Sequence, residues 1–111
     1  MKTIFQKIID GEIPSDKVFE NEQIIAIKDI NPQAPIHLLI IAKKPIPSLA
    51  AITPEDGPLM AEMMQVAGDL ARKFKIENGF RLLTNNGTTA GQTIFHLHFH
   101  LLGGRTLGAL G

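Results

Sequence analysis

The chain has 111 residues, eleven basic and eleven acidic side chains and 44% hydrophobic residues, which suffices for one core and is too little for two comfortable domains. Its zero formal charge leaves no electrostatic footprint for duplex nucleic acid or an anionic membrane. The lack of cysteine excludes disulfides and thiolate zinc sites, so stability must come from packing.

In chain order, Met1 to Asp10 mixes apolar residues with Lys2, Gln6 and Lys7 and does not read as a signal peptide. Thr3 is placed to cap a short helix whose stripe is Ile4, Phe5, Ile8 and Ile9 and whose stop is Gly11,. Lys17–Glu20 and the β-branched Ile24–Asp29 are predicted strands, joined over hairpin length by Asn21, Glu22 and Gln23,. Asn31 to Pro35 forces a turn, and Ile36–Ala42, apolar nearly throughout, is predicted to be a central strand that Lys43 to Pro47 breaks,.

Thr53, Pro54, Glu55 and Asp56 form a helix start that Gly57 and Pro58 divide from the helix body,. From Leu59 to Phe74 the period is helical. Leu59, Met63, Val66, Leu70 and Phe74 make one stripe, widened by Met60, Met64, Ala67 and Ala71,. The excess width has two readings: a homodimer surface, or a helix sunk deeply in its own core. Phe80–Thr84 and Thr93–Leu102 are the last two predicted strands. Hairpin-length connections give an α+β domain spanning residues 1–111, with a five-stranded antiparallel sheet, one long helix and one short N-terminal helix. No apolar stretch reaches the roughly 18–20 residues of a membrane span, and a cytoplasmic location is expected.

The last strand carries the chemistry. In Phe95-His96-Leu97-His98-Phe99-His100-Leu101, period-two geometry sends the phenylalanines and leucines to one face and all three imidazoles to the other. A lone strand histidine is ordinarily structural; three in alternation fill one face with a side chain that titrates near neutrality. Alternate strand residues lie about 6.6 Å apart, so two imidazoles reach one zinc but a flat strand does not bring three. His37 is the one further candidate ligand, and no acid follows Glu77. No metal or cofactor is expected on this reading. Paired carboxylates and a Ser/His/Asp triad fail for want of an acid, and Ser48 sits in a Pro-flanked turn,. The approach, Asn85 to Thr93, is rich in hydroxyls, amides and glycines, materials for a phosphate cradle and equally for an ordinary hairpin.

His96-Leu97-His98-Phe99-His100-Leu101-Leu102 has a His-x-His-x-His-x-x pattern with apolar x. With Thr3-Ile4-Phe5, Gly11-Glu12-Ile13-Pro14, Asp29 to Pro35, His37, the Asn85–Thr93 loop and Gly103-Gly104-Arg105, the chain resembles the histidine triad (HIT) family. Within it, the chain is similar to the nucleotide-binding branch of purine nucleoside phosphoramidases. The resemblance implies that His98 is the nucleophile, attacking the α-phosphorus to form a nucleotidyl-histidine that water resolves to the monophosphate. It implies phosphate contacts and proton handling by His96 and His100, with His37 nearby. Asp29 falls at the ribose position, Asn85, Gly91, Gln92 and Thr93 on the phosphate side, and Phe5, Ile8, Ile27 and Ile30 around the purine. It further implies a homodimer whose sheet continues across both copies, and AMP or GMP derivatives as ligands, without nucleic acid or membrane. Dinucleoside polyphosphate hydrolysis or nucleotidyl transfer, and a nucleotide-binding adaptor with incidental hydrolysis, are the alternatives.

Two physical expectations accompany this. A neutral imidazole is a competent nucleophile at pH 7 if its other nitrogen is held as N–H, and with no carboxylate at hand the acceptor should be a backbone carbonyl. Pro45 and Ile27, where animal relatives often carry histidine and phenylalanine, and the tryptophan-free tail Thr106 to Gly111 bear on the base pocket and the leaving group.

Overall fold

Thr3 adopts extended backbone, and its hydroxyl oxygen accepts from the Gln6 N–H at 3.1 Å, which starts helix α1 (Ile4–Ile9) at the expected residue. The helix closes where Gly11 turns to φ +76° and the Gly11 and Glu12 amides donate back to the Ile8 and Lys7 carbonyls, a conformation that favours glycine. The computed structural model describes all residues 1–111.

Strands β1 (Lys17–Glu20), β2 (Ile24–Lys28), β3 (Ile36–Ala42), β4 (Phe80–Leu83) and β5 (His98–Gly103) form one antiparallel sheet in the order β1-β2-β3-β5-β4. β3 is central, as its apolar composition predicts. Helix α2 (Gly57–Lys73) comes after a separate 3-10 turn over Pro54–Asp56, and the Asp56 carboxylate accepts the Thr53 N–H at 2.9 Å, so the opening is divided where Gly57 and Pro58 stand.

The sheet buries both faces, against different partners. Ile24, Ala26, Leu38, Ile40, Phe99 and Leu101 pack with Met63, Val66 and Leu70 of α2. On the opposite face Ile25, Ile27, Leu39 and Ile41 pack with Phe5 and Ile8 of α1. Of the widened band on α2, Ala67 and Ala71 lie within the chain's own core, while Met64 stays 42% exposed. The deeper-burial reading therefore accounts for most of the width.

One predicted strand is shorter than expected. Residues 93–97 are irregular, and β5 starts only at His98. The Leu97 N–H donates to the Ile46 carbonyl at 2.7 Å, and the Ala42 carbonyl that a continued ladder would use receives the His96 Nε2–H instead. The Gln92 side-chain amide further holds the Ile94 carbonyl. One ladder bond persists, the Ala42 N–H donating to the Leu97 carbonyl at 3.3 Å; before it in the chain Phe95 is 48% exposed rather than in the core, and His96 precedes the strand instead of extending the row of imidazoles along it.

At Gly103 an added Cβ would lie 2.8 Å from Ile76 Cδ1 and 3.2 Å from the Gly79 carbonyl oxygen. The Gly103→Ala variant is expected to lose about 1–3 kcal/mol in urea unfolding, as crowding of a packed core does. An unchanged midpoint would show that the segment between α2 and β4 yields freely.

Candidate active site

The register of β3 on β5 sets Leu39 opposite His100 and Ile41 opposite His98, with His37 opposite Leu102. His37, His98 and His100 therefore share the α1 face, and the diagonal pair meets: His37 Nε2 lies 2.9 Å from His100 Nδ1. The His98 and His100 ring centroids are 5.2 Å apart. Phe5 stands edge-on to His98 at 4.8 Å and fixes that ring from the side.

Backbone groups decide which nitrogens carry protons, because an amide N–H only donates and a carbonyl only accepts. His98 Nδ1 lies 2.7 Å from the His96 carbonyl, so it is the N–H, and Nε2 keeps a free lone pair. The acceptor is a backbone carbonyl, as expected, and no carboxylate bonds the ring. The Gln33 N–H donates to His37 Nδ1 at 3.0 Å, so His37 carries its proton on Nε2 and donates it to His100 Nδ1. His100 in turn presents Nε2–H. His96 donates from Nε2 to the Ala42 carbonyl, which gives it a place in holding the end of β3 as well as the carbonyl behind His98.

Burial pushes His37 and His98 below the ordinary histidine range; Asp29 partly opposes this for His37, and the hydrogen bond to the His96 carbonyl does so for His98. His100 is pushed down to about 4, chiefly by burial and then by the neighbouring His98 and His37. At neutral pH all three are uncharged, which leaves the lone pair of His98 available.

A cavity of about 350 Å³ opens onto His98 and His100. Of the residues expected around a nucleotide, Asp29, Ile30, Ile27, Phe5, Ile8, Asn85, Gly91, Gln92 and Thr93 all line it, and His96 and His37 do not. Ile30, 98% exposed, forms its outer lip. Gln92 departs from the expected use. Its amide donates to the Pro47 and Ile94 carbonyls and accepts the Gly87 N–H, so the side chain is committed to holding the loop and has no N–H left for a phosphate. Asn85 takes part in no such bond with its side chain. Residues given no ligand role from sequence complete the wall, above all Ile13, Pro14, Ser15 and Leu39. The Ser15 hydroxyl is buried without a hydrogen-bond partner. The Gly11 to Pro14 run marks this segment in the sequence, but nothing in its composition signals a cavity wall. A wider cleft of about 520 Å³ between Lys75, Phe80 and Arg105 holds neither histidine nor carboxylate.

Asp29, His37 and His100 bring ligating atoms within 4.8 Å of one another, close enough to test for a metal. A ligating histidine donates its second N–H to an acceptor. His37 does the reverse, since its Nδ1 accepts from Gln33, so coordination through Nε2 would require an imidazolate. The group fits a hydrogen-bond relay better than a metal site.

Residues 10–107 match the HIT domain family. A HIT-like protein of Chlamydia pneumoniae is 56% identical over 108 residues, covering 97% of this chain and 98% of that one. The crystal structure of a HIT family hydrolase from Legionella pneumophila Philadelphia 1 superposes with a TM-score of 0.95 at 42% identity, covering 96% of each chain. A histidine triad nucleotide-binding protein from Candida albicans gives a TM-score of 0.84 at 34% identity, over 99% of this chain and 84% of that one.

In the folded protein His100 takes up its proton only near pH 4, against 6.5 for the free side chain. Its contribution to stability is therefore complete above 6.5 and is lost as pH falls from there toward 4. Imidazole NMR should show His100 neutral at pH 6 with a midpoint near 4, and Tm should fall across the same window. A midpoint near 6.5 would contradict the buried, neutral relay.

Proposed function

The chain belongs to the HIT domain family, and from that premise we propose that it hydrolyses purine nucleoside 5′-phosphoramidates through a nucleotidyl intermediate on His98. The observation that carries this reading is the His98 ring. Its Nδ1–H is held by a carbonyl at 2.7 Å, and its Nε2 lone pair lies in a cavity beside the N–H presented by His100.

The chemistry takes two displacements. His98 Nε2 bonds to the α-phosphorus as the P–N bond breaks, and the departing nitrogen takes one proton, drawn from solvent across a phosphoryl oxygen. Water then adds to phosphorus, His98 leaves as neutral imidazole, and one proton returns to solvent with the monophosphate product. His100 Nε2–H stabilises charge on the transferred group, as a fixed donor does in a water-poor site. Asp29 is assigned to the ribose diol, since a carboxylate can accept from both hydroxyls. Asn85, Thr93 and the Gly91 backbone are assigned to the phosphate, and Phe5, Ile8, Ile27 and Ile30 to the purine of AMP or GMP derivatives.

The reading includes a homodimer. β4 leaves one sheet edge unpaired, and Phe80 at its start stays 41% exposed, an arrangement that a second copy would cover. Sedimentation equilibrium should give twice 12.1 kDa; a monomer at micromolar concentration would end this part of the reading.

Turnover of adenosine 5′-phosphoramidate tests the activity. The wild type should release AMP at a rate unaffected by chelator, and His98→Ala should lose about 10³-fold or more, the scale on which removing a nucleophile acts. Equal rates in the two proteins would refute His98 as nucleophile, and tight AMP binding without turnover would favour a binding role.

A further inference from the structure

The turn between β2 and β3 ties the ribose-side carboxylate to the imidazole relay. Asp29 Oδ1 accepts the Asn31 N–H at 2.8 Å, and the Asp29 N–H donates to the His37 carbonyl at 3.0 Å. Four residues on, the Gln33 N–H fixes His37 from its far side. The result is that one proton, on His37 Nε2, faces two acceptors: His100 Nδ1 at 2.9 Å and Asp29 Oδ2 at 3.4 Å. A proton shared in this way binds each acceptor less firmly than an undivided one, and a carboxylate draws it more strongly than a neutral imidazole does.

We propose that ribose binding switches this shared proton: hydroxyls donating to Asp29 satisfy its carboxylate, the His37 N–H is committed to His100, and His100 is locked with its Nε2–H toward the phosphoryl group. The inference rests on the proposed nucleotide hydrolysis and deepens it. Asp29 then recognises the sugar and also aligns His100, whose Nδ1 lies 2.9 Å from His37 Nε2, so a substrate lacking the diol is processed slowly even when bound. His37 acts here as a positioning residue, working through His100.

The test compares adenosine 5′-phosphoramidate with its 2′,3′-dideoxy analogue in the wild type, in His37→Asn, whose shorter side chain does not reach His100, and in His37→Gln, whose amide supplies an N–H near the Nε2 position. In the wild type, loss of the diol should lower kcat about tenfold in addition to raising KM. In His37→Asn, already slower, the kcat difference between the two substrates should shrink below twofold, and His37→Gln should restore part of it. The same fold-loss of kcat in all three proteins, or an effect confined to KM, would overturn the coupling and leave Asp29 as a binding residue only. Imidazole ¹⁵N NMR supplies a readout independent of turnover. AMP should move the His37 Nε2 and His100 Nδ1 resonances, and 2′,3′-dideoxy-AMP at saturation should not. Equal shifts with both ligands would refute the switch. Failure of the wild type to turn over any phosphoramidate, with the ligand-specific shifts present, would instead refute the hydrolase reading alone.

Discussion

The pairing of β3 with β5 is the constraint on which the rest of the molecule depends. These two central strands run antiparallel with Leu38 opposite Leu101 and Ile40 opposite Phe99 on the α2 side, and with Leu39 opposite His100 and Ile41 opposite His98 on the other. A slip of one residue would exchange the faces. The imidazoles would then meet Met63 and Leu70 of α2 with no polar partners, and Leu101 would enter the cavity. Because an unsatisfied buried polar group costs about 1–3 kcal/mol, hydrophobic burial and imidazole satisfaction select the same register. Site geometry is thus enforced by the core and needs no separate source of stability.

That shared origin explains the electrostatic character of the site. The histidines stand against apolar side chains, and burial holds His37, His98 and His100 below their ordinary range. A carboxylate against His98 would orient the ring and also raise its proton affinity, removing the free base near neutrality. The His96 carbonyl orients without adding a charge. Asp29, the acid nearest the relay, touches only its far end, 3.4 Å from His37.

Much of this was legible in the sequence, and where it was not, the reason is local. A continuous apolar run located β3, period two located the core of β5, and Thr3 and Gly11 bounded α1, because each rests on near-neighbour geometry. The strand expected from Thr93 failed at residues 93–97 because alternation in the sequence continues while the ladder partner changes: Pro45 precedes Ile46, whose carbonyl captures the Leu97 amide. The same change exposes Phe95, which reads as core by pattern alone. Helical period set Ala67 and Ala71 beside the main stripe of α2 without deciding which surface would cover them; their burial in the chain's own core depends on how close α2 lies to the sheet. The contact of His37 with His100 depends on register across 63 residues of chain, and the use of the Gln92 amide depends on a loop folding back on Pro47. Neither is a sequence pattern.

A row of neutral imidazoles has no inherent direction, since each ring can donate from either nitrogen. Here two main-chain groups remove the ambiguity. The Gln33 amide, which cannot accept, makes His37 a donor toward His100; the His96 carbonyl, which cannot donate, makes Nδ1 the donor of His98. The consequences at the cavity are opposite: His98 offers a lone pair and His100 offers a proton, on rings 5.2 Å apart. The proposed nucleophilic attack beside a charge-stabilising donor needs that opposition. Side-chain partners could achieve it only with matched tautomers of their own, whereas backbone groups have one polarity each. The turn carrying Pro32 and Pro35 is consequently a chemical element of the site: it aims the Gln33 N–H at His37, and Arg105 clasps it from outside by donating to the Gln33 carbonyl at 2.8 Å.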